Sequence, residues 1–290
     1  MKPIVYFTKD LSPEGVKKMF DVLKAKMKGK VALKLHSGEQ GNQNYLGPEW
    51  YRPLVKELKA TVVECNTAYP GARDTTEKHT KLLADHGWST AFKVDLLDAT
   101  GPDVVLPIPN GKVIKTDFVG KNILHYDSLV VVSHFKGHPM GGYGGALKQL
   151  SIGCASSFGK LHIHSADSDK PEEIWTADHE RFLEAMADAA SVVYLHFKEN
   201  IAFVSVMKNM SVDCDCCEVA EDPCLKDIGI LSSLDPIAID QACLDLVYKS
   251  DDPGKKHFLE RVESRHGIHT IEAASALGFG SRDYELVEIP

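Results

Sequence analysis

The sequence predicts an α/β fold, with a mixed, mostly parallel sheet flanked by helices. Three observations carry this expectation. Short apolar runs alternate with amphipathic segments through the first half of the chain, which is the pattern of βαβ units. Ser128-Leu129-Val130-Val131-Val132 is apolar and bounded by polar residues, as a buried strand requires. Asn110-Gly111, between apolar flanks, signals a hairpin turn and so an antiparallel excursion there.

The elements follow in order. Ile4 to Thr8 reads as a strand, and Pro13 to Lys26 as an amphipathic helix capped by Ser12. Val31 to Leu35 is a strand and Pro48 to Leu58 a helix; Thr61 to Cys65 is a strand and Thr75 to His86 a helix. Val104 to Pro107 and Lys112 to Phe118 form the hairpin arms. After the 128–132 strand, Ala146 to Leu150 opens a short helix. Ser165 to Pro171 is polar and turn-rich, the candidate for a linker or a truncated insertion. A helix over Asp178 to Ala190, a strand over Ile201 to Met207 and another over Ile228 to Ser232 follow. Asp235-Pro236 starts a helix as N-cap and first residue. Two shorter helices and a strand from Tyr284 to Ile289 complete the chain. One domain over residues 1–290 is expected, with two closely packed lobes, 1–164 and 172–290, as the alternative division.

A net charge of −8 argues against a nucleic-acid surface, which needs clustered Lys and Arg. The basic run from Lys24 to Lys30 is the exception, and the end of a helix accounts for it through the helix dipole. No apolar stretch approaches the roughly 18 residues that cross a bilayer, and the first residues have no signal-peptide core. A cytoplasmic location is expected, with the seven cysteines reduced.

The clearest functional signal is Ser133-His134-Phe135-Lys136-Gly137-His138, running into Gly141-Gly142-Tyr143-Gly144-Gly145-Ala146-Leu147-Lys148. Glycines here let backbone N–H groups approach a ligand, and the open amides of a following helix favour an anion. Gly142, Gly144, Gly145, Lys148 and Arg73 are therefore the expected anion-binding residues. The loop lacks the third glycine of a dinucleotide fingerprint and has no Gly-Lys-Ser/Thr.

Cys214-Asp215-Cys216-Cys217 and Cys224 place four thiols within eleven positions. In an extended segment Cys214 and Cys216 share a side while Cys217 points away, and a Cys-x-Cys pair suits a soft metal. The other reading is a loop of small, partly buried thiols. His134 and His138 are four apart, but Gly137 and Pro139 make them a loop pair rather than a helical zinc pair. His162 and His164 share a face if their segment is a strand. The alternative for each histidine is a hydrogen bond to backbone, the ordinary fate of a buried polar group. Lys34 and His36 leave one strand, and the segment from Asn66 to Arg73 leaves the next. In a parallel sheet both loops emerge beside the 133–145 loop.

On these residues the chain resembles the DUF362 family, whose members are often named uncharacterised Fe–S centre proteins. The matching segments include Lys34-Leu35-His36-Ser37-Gly38-Glu39, Asn66 to Tyr69 with Gly71 and Arg73, and Ser133 to His138. They continue through Gly142 to Lys148, Gly153 to Ser156, Gly159-Lys160 with His164, Asp213 to Cys216, Asp227 to Ile230 and Asp235 to Ala242. Many relatives carry a ferredoxin-like insertion after the segment matching Lys160 to His164. Here that interval has no cysteine, so [4Fe–4S] ferredoxin clusters are not expected.

The resemblance and the residues together suggest a metal-binding protein with redox or metal-dependent activity on a small anionic molecule. The metal would be a transition metal, iron or zinc, on Cys214, Cys216 and His164. His134, His138, Lys136, His36 and Lys34 would act on the anion or on a redox partner. Two alternatives stand beside it. One is a metal-independent isomerase or racemase using paired histidines, and the other a non-catalytic metal carrier or scaffold.

Overall fold

Runs rich in Val, Ile and Leu build the centre of an eight-stranded sheet. The computed structural model describes residues 2–168 and 170–290. The first half contains β1 (Ile4–Thr8), α1 (Pro13–Val22), β2 (Val31–Lys34), α2 (Arg52–Leu58), β3 (Thr61–Glu64), α3 (Thr76–Asp85), α4 (Trp88–Ala91) and β4 (Val94–Leu96). Next come β5 (Val104–Pro107), β6 (Thr116–Val119), β7 (Ser128–His134), β8 (Lys136–His138), β9 (Gly142–Gly144), α5 (Ala146–Leu150) and α6 (Ser157–His164). The remainder holds α7 (His179–Phe197), β10 (Ile201–Met207), β11 (Gly229–Ser233), α8 (Pro236–Lys249), α9 (Lys255–Ser264), α10 (Ile268–Ala276) and β12 (Glu285–Glu288).

The strand order is β12-β1-β11-β10-β7-β2-β3-β4. Neighbours pair parallel except at β11, which runs against both β1 and β10. The sheet is thus mixed and mostly parallel, as the sequence predicts, but its antiparallel member is β11: the hairpin around Asn110-Gly111 forms a separate two-stranded sheet, β5–β6, whose pairing ends at Pro107 and Thr116. Each central strand is buried on both faces. In β7, Leu129 and Val131 join the core with α5, α7 and α8, while Val130 and Val132 join the core with α1 and α2. From β2 the chain steps outward to β3 and β4; from β7 it steps the other way to β10. The C-terminal ends of β2 and β7 therefore lie side by side where the winding reverses, the position at which open α/β sheets leave a crevice.

Local chemistry sets most element ends. Ser12 Oγ accepts the Gly15 N–H at 2.9 Å, and Asp235 caps α8 through the Ile237 and Ala238 amides at 2.8 and 2.9 Å. Three expectations are corrected. Helix α1 stops at Val22, with Lys24 at φ +50°, so the basic run lies beyond the helix rather than in its last turn. His162 and His164 lie on a helix, not a strand: Ser156 Oγ caps it through the Gly159 amide at 3.0 Å. Helix α7 continues to Phe197 because its apolar face persists through Val193. The short α4 and β4 extend the sheet beyond the predicted strands. Of the polar stretch from Ser165 to Pro171, Asp169 lies outside the described residues. Among the described residues, no helix is long and apolar enough to cross a membrane.

Asp117 on β6 is fully buried, and neither carboxylate oxygen has a partner. Burial pushes its carboxyl up to about 7, and the charge of Lys160 opposes it only in part. A folded value raised above the unfolded one means that stability falls as pH rises through that window. Asp117→Asn cannot titrate. Its urea stability should match the parent near pH 4 and exceed it above pH 7 by at most about 4 kcal/mol. A constant difference across pH would contradict this.

Candidate active site

A cleft of about 360 Å³ opens at the reversal point. Lys34, His36, Arg73, Lys136, His138, Gly144, Gly145, Lys148, His164 and Cys216 all line it. Segments far apart in sequence thus meet at one rim. His134, Cys214 and Gly142 are not on its wall. Gly142, at φ +77°, has its Cα side against Gly267, where an added Cβ would come within 2.8 Å; its role there is packing.

Buried charges on this wall are paired, as their desolvation demands. Lys34 Nζ lies 2.5 Å from Glu64 Oε2, and the Ser37 amide donates to Glu64 Oε1 at 2.8 Å. Burial pushes the Glu64 carboxyl up, but Lys34 and the nearby His36, His79 and Arg73 outweigh it and hold it below the usual range. Asp215 joins Lys136 Nζ at 2.8 Å and His134 Nδ1 at 2.9 Å. Those two neighbours likewise overcome burial and hold Asp215 well below its ordinary value. Arg73 Nε donates to Glu39 Oε2 at 3.0 Å.

Hydrogen-bond partners assign each imidazole a distinct face. His134 places Nδ1 against the Asp215 carboxylate and Nε2 against the Lys208 carbonyl. Both partners are acceptors, so both nitrogens donate and neither is available to a metal. Nδ1 of His138 accepts the Gly141 and Met140 amides at 2.8 and 3.2 Å, which leaves its proton on Nε2, facing Cys216 Sγ at 4.0 Å. His36 accepts the Gly38 amide on Nδ1 at 3.0 Å and so also presents Nε2–H. His164 is the reverse: Nδ1 donates to the Lys160 carbonyl at 2.7 Å, leaving a bare Nε2. Burial lowers both His138 and His164 to about 4, with Lys148 adding to it. Both rings are therefore neutral at pH 7, one presenting a proton and the other a lone pair.

His138, Cys214 and Cys216 each offer a ligand atom, all within 4.8 Å of one another. His164, expected beside the thiols, is not in this group; it stacks on Phe182 at 5.0 Å on helix α6. Burial pushes the Cys214 thiol up, although Lys148 Nζ approaches its sulfur at 3.7 Å. Cys217 also lines the cleft, and its thiol is lowered by its bond to Cys216. Cys224 lies apart, against the Met210 carbonyl. The thiol loop is stitched to the loop after β2. Asn42 Nδ2 donates to the Cys217 carbonyl at 2.9 Å, Gln43 Nε2 to Ala220 O at 2.9 Å and Asn44 Nδ2 to Glu221 O at 2.8 Å.

The helix amides expected to hold an anion are already taken. Asp240 on α8 accepts the Ala146 N–H at 2.7 Å and the Leu147 N–H at 3.0 Å, and Tyr143 OH donates to it at 3.2 Å. An internal carboxylate fills the first turn of α5, so Lys148 and the other side chains must bind any external anion.

The family model for a domain of unknown function, DUF362, matches residues 31–245. The chain belongs to the DUF362 family. Among solved structures, it is similar to the lactate racemase apoprotein from Thermoanaerobacterium thermosaccharolyticum at 15% identity and TM-score 0.44, over 69% of this chain and 50% of that one. A structural-genomics protein from Thermotoga maritima is similar at 13% identity and TM-score 0.41, over 91% and 58%. The DUF362 chain thus spans only half to three-fifths of the length of either structure. No curated protein matches it.

Several residues in and behind the DUF362 cleft escape sequence reasoning. Glu64 ends an apolar strand, and only the β2–β3 register, with Lys34 opposite Val63, reveals its partner. Lys160 lies one turn before His164 on α6 and lines the cleft, its ammonium lowered by burial. Asp215 is hidden between two cysteines that draw attention first. Tyr69 and Trp175 add aromatic walls, their rings 6.1 Å apart.

Proposed function

We propose that this DUF362 protein performs metal-dependent chemistry on a small anionic molecule, with a soft metal at Cys214 and Cys216. The observation that carries this reading is the His138–Cys214–Cys216 group, whose ligand atoms lie within 4.8 Å beside a cation-lined cleft. The donor set fits: two thiols prefer a soft ion, and they lose their protons when one binds. His138, with Nδ1 held by two amides, supports a thiolate through Nε2–H; to ligate directly it must give up those bonds. A bound metal would supply Lewis-acid polarisation or a redox couple. Lys148 and Lys136 draw the anion in, and the bare Nε2 of His164 can take a proton from it.

A second reading rests on the two neutral imidazoles. His138 presents an acid and His164 a base to one cleft, an arrangement suited to metal-independent proton transfer next to a carbonyl. It replaces the His134–His138 pair, because both nitrogens of His134 are committed.

Elemental analysis of protein purified without oxygen tests the first reading. Close to one equivalent of a soft metal is expected, and the Cys214→Ala/Cys216→Ala double variant should lose it. Metal absent from the parent, or retained by the double variant, would sink the metal centre. Hydrogen–deuterium exchange on a substrate by chelator-treated protein, abolished by His164→Ala, would then favour the second reading.

A further inference from the structure

Arg73 is only 3% exposed and lines the cleft, yet its Nη2 has no hydrogen-bond partner. Leaving a buried guanidinium donor unpaired is costly. Its orientation is fixed from behind. Glu39 Oε2 accepts Nε, while Glu39 Oε1 accepts the Ala72 and Gln40 amides at 3.2 and 3.0 Å. With Nε bound, the fork edge left over is the Nη1–Nη2 edge.

His36 stands beside that edge, with Nε2 3.3 Å from Arg73 Nη1. Because the Gly38 amide fixes the His36 proton on Nε2, donor faces donor, and neither satisfies the other. Three N–H groups therefore lack a strong acceptor at one spot. Burial drives His36 well below its usual value, with Arg73 adding to it, which agrees with a neutral N–H ring.

We propose that the Nη1–Nη2 edge of Arg73 and the Nε2–H of His36 form a carboxylate-binding subsite, making the substrate a small organic carboxylate. The proposal rests on the reading of the cleft as an anion site and adds the class of anion. A planar carboxylate matches a guanidinium edge with two parallel bonds, and a third oxygen lone pair meets His36. Ile152, Met140, Pro139 and Trp175 on the same wall suit a carbon skeleton rather than an inorganic ion. Tyr69, whose hydroxyl is raised by burial, lies beside both Cys216 and Arg73. The bound carboxylate is thereby held near the thiols.

Ligand-observed NMR titration of the chelator-treated 290-residue chain tests this, using butyrate, butyramide and inorganic phosphate as probes. Butyrate should bind at least about tenfold more tightly than butyramide or phosphate. Arg73→Lys keeps the charge but loses the fork, and His36→Asn loses the imidazole donor; each should weaken butyrate about tenfold or more. The chelator-treated chain carries no metal in this assay, so butyrate binding is read independently of metal content, which separates this subsite from the metal reading. Thermal melts establish that each variant is folded, and His36→Asn carries the test if Arg73→Lys is not. No butyrate binding, equal binding of the amide, tighter phosphate binding, or parental affinity in the folded variants would overturn the proposal.

Discussion

Asp215→Ala is expected to destabilise the protein by about 3–5 kcal/mol, the usual cost of stranding a buried charge. The Asp215 side chain is 1% exposed and is shared by Lys136 Nζ and His134 Nδ1. Truncation leaves the Lys136 ammonium in the cleft wall, and the His134 imidazole behind it, without their shared carboxylate. The melting temperature should fall by roughly 5–15 °C. Asp215→Asn, which retains one acceptor oxygen, should lose less. The pH dependence follows from the lowered carboxyl. The Asp215 contribution is complete above its unfolded value near pH 4 and is lost only as acid reaches the lower folded value. Calorimetric melts of both variants across pH check the size and the sign. An Ala variant as stable as the parent at pH 7 would show that this charge cluster is not structural.

Asp240→Ala should be the second large effect, about 2–4 kcal/mol. It removes at once the acceptor of the Ala146 and Leu147 amides and of the Tyr143 hydroxyl. A Cβ on Gly145 would lie 2.4 Å from Asp240 Oδ1, so the capping carboxylate also requires glycine at 145. Asp240→Asn, keeping one carbonyl oxygen, should recover about half of the loss. Urea unfolding measures both. If Asp240→Ala costs no more than an ordinary surface change, the glycine loop is held by the antiparallel pairing of β8 with β9 alone.

The fold was legible where local rules decide it. Apolar runs located the central strands, and Ser12, Asp178 and Asp235 announced helix starts through their own side chains. The segment from Lys160 to His164 misled because alternation over five residues also fits a helical turn; the deciding signal was Ser156 three residues ahead of Gly159. The meeting of Lys34, His36, Arg73 and the His–Gly loop followed from parallel winding alone. What stayed hidden was long-range: Asp240 caps a helix 94 residues away, and Asp215 neutralises a lysine 79 positions earlier. Tautomers were hidden too. His134, His138 and His164 look alike in a sequence, and only their backbone partners separate a committed ring from an acid and a base.

The amides of Asn42, Gln43 and Asn44 grip the thiol loop by its main-chain carbonyls and ignore its side chains. Outside Asp215, whose carboxylate is committed to Lys136 and His134, the thiol positions of this loop can therefore exchange one side chain for another without losing their course. Descendants, natural or engineered, could swap sulfur for nitrogen or oxygen there and acquire a different reactivity on an unchanged frame. The three anchoring amides have no such latitude.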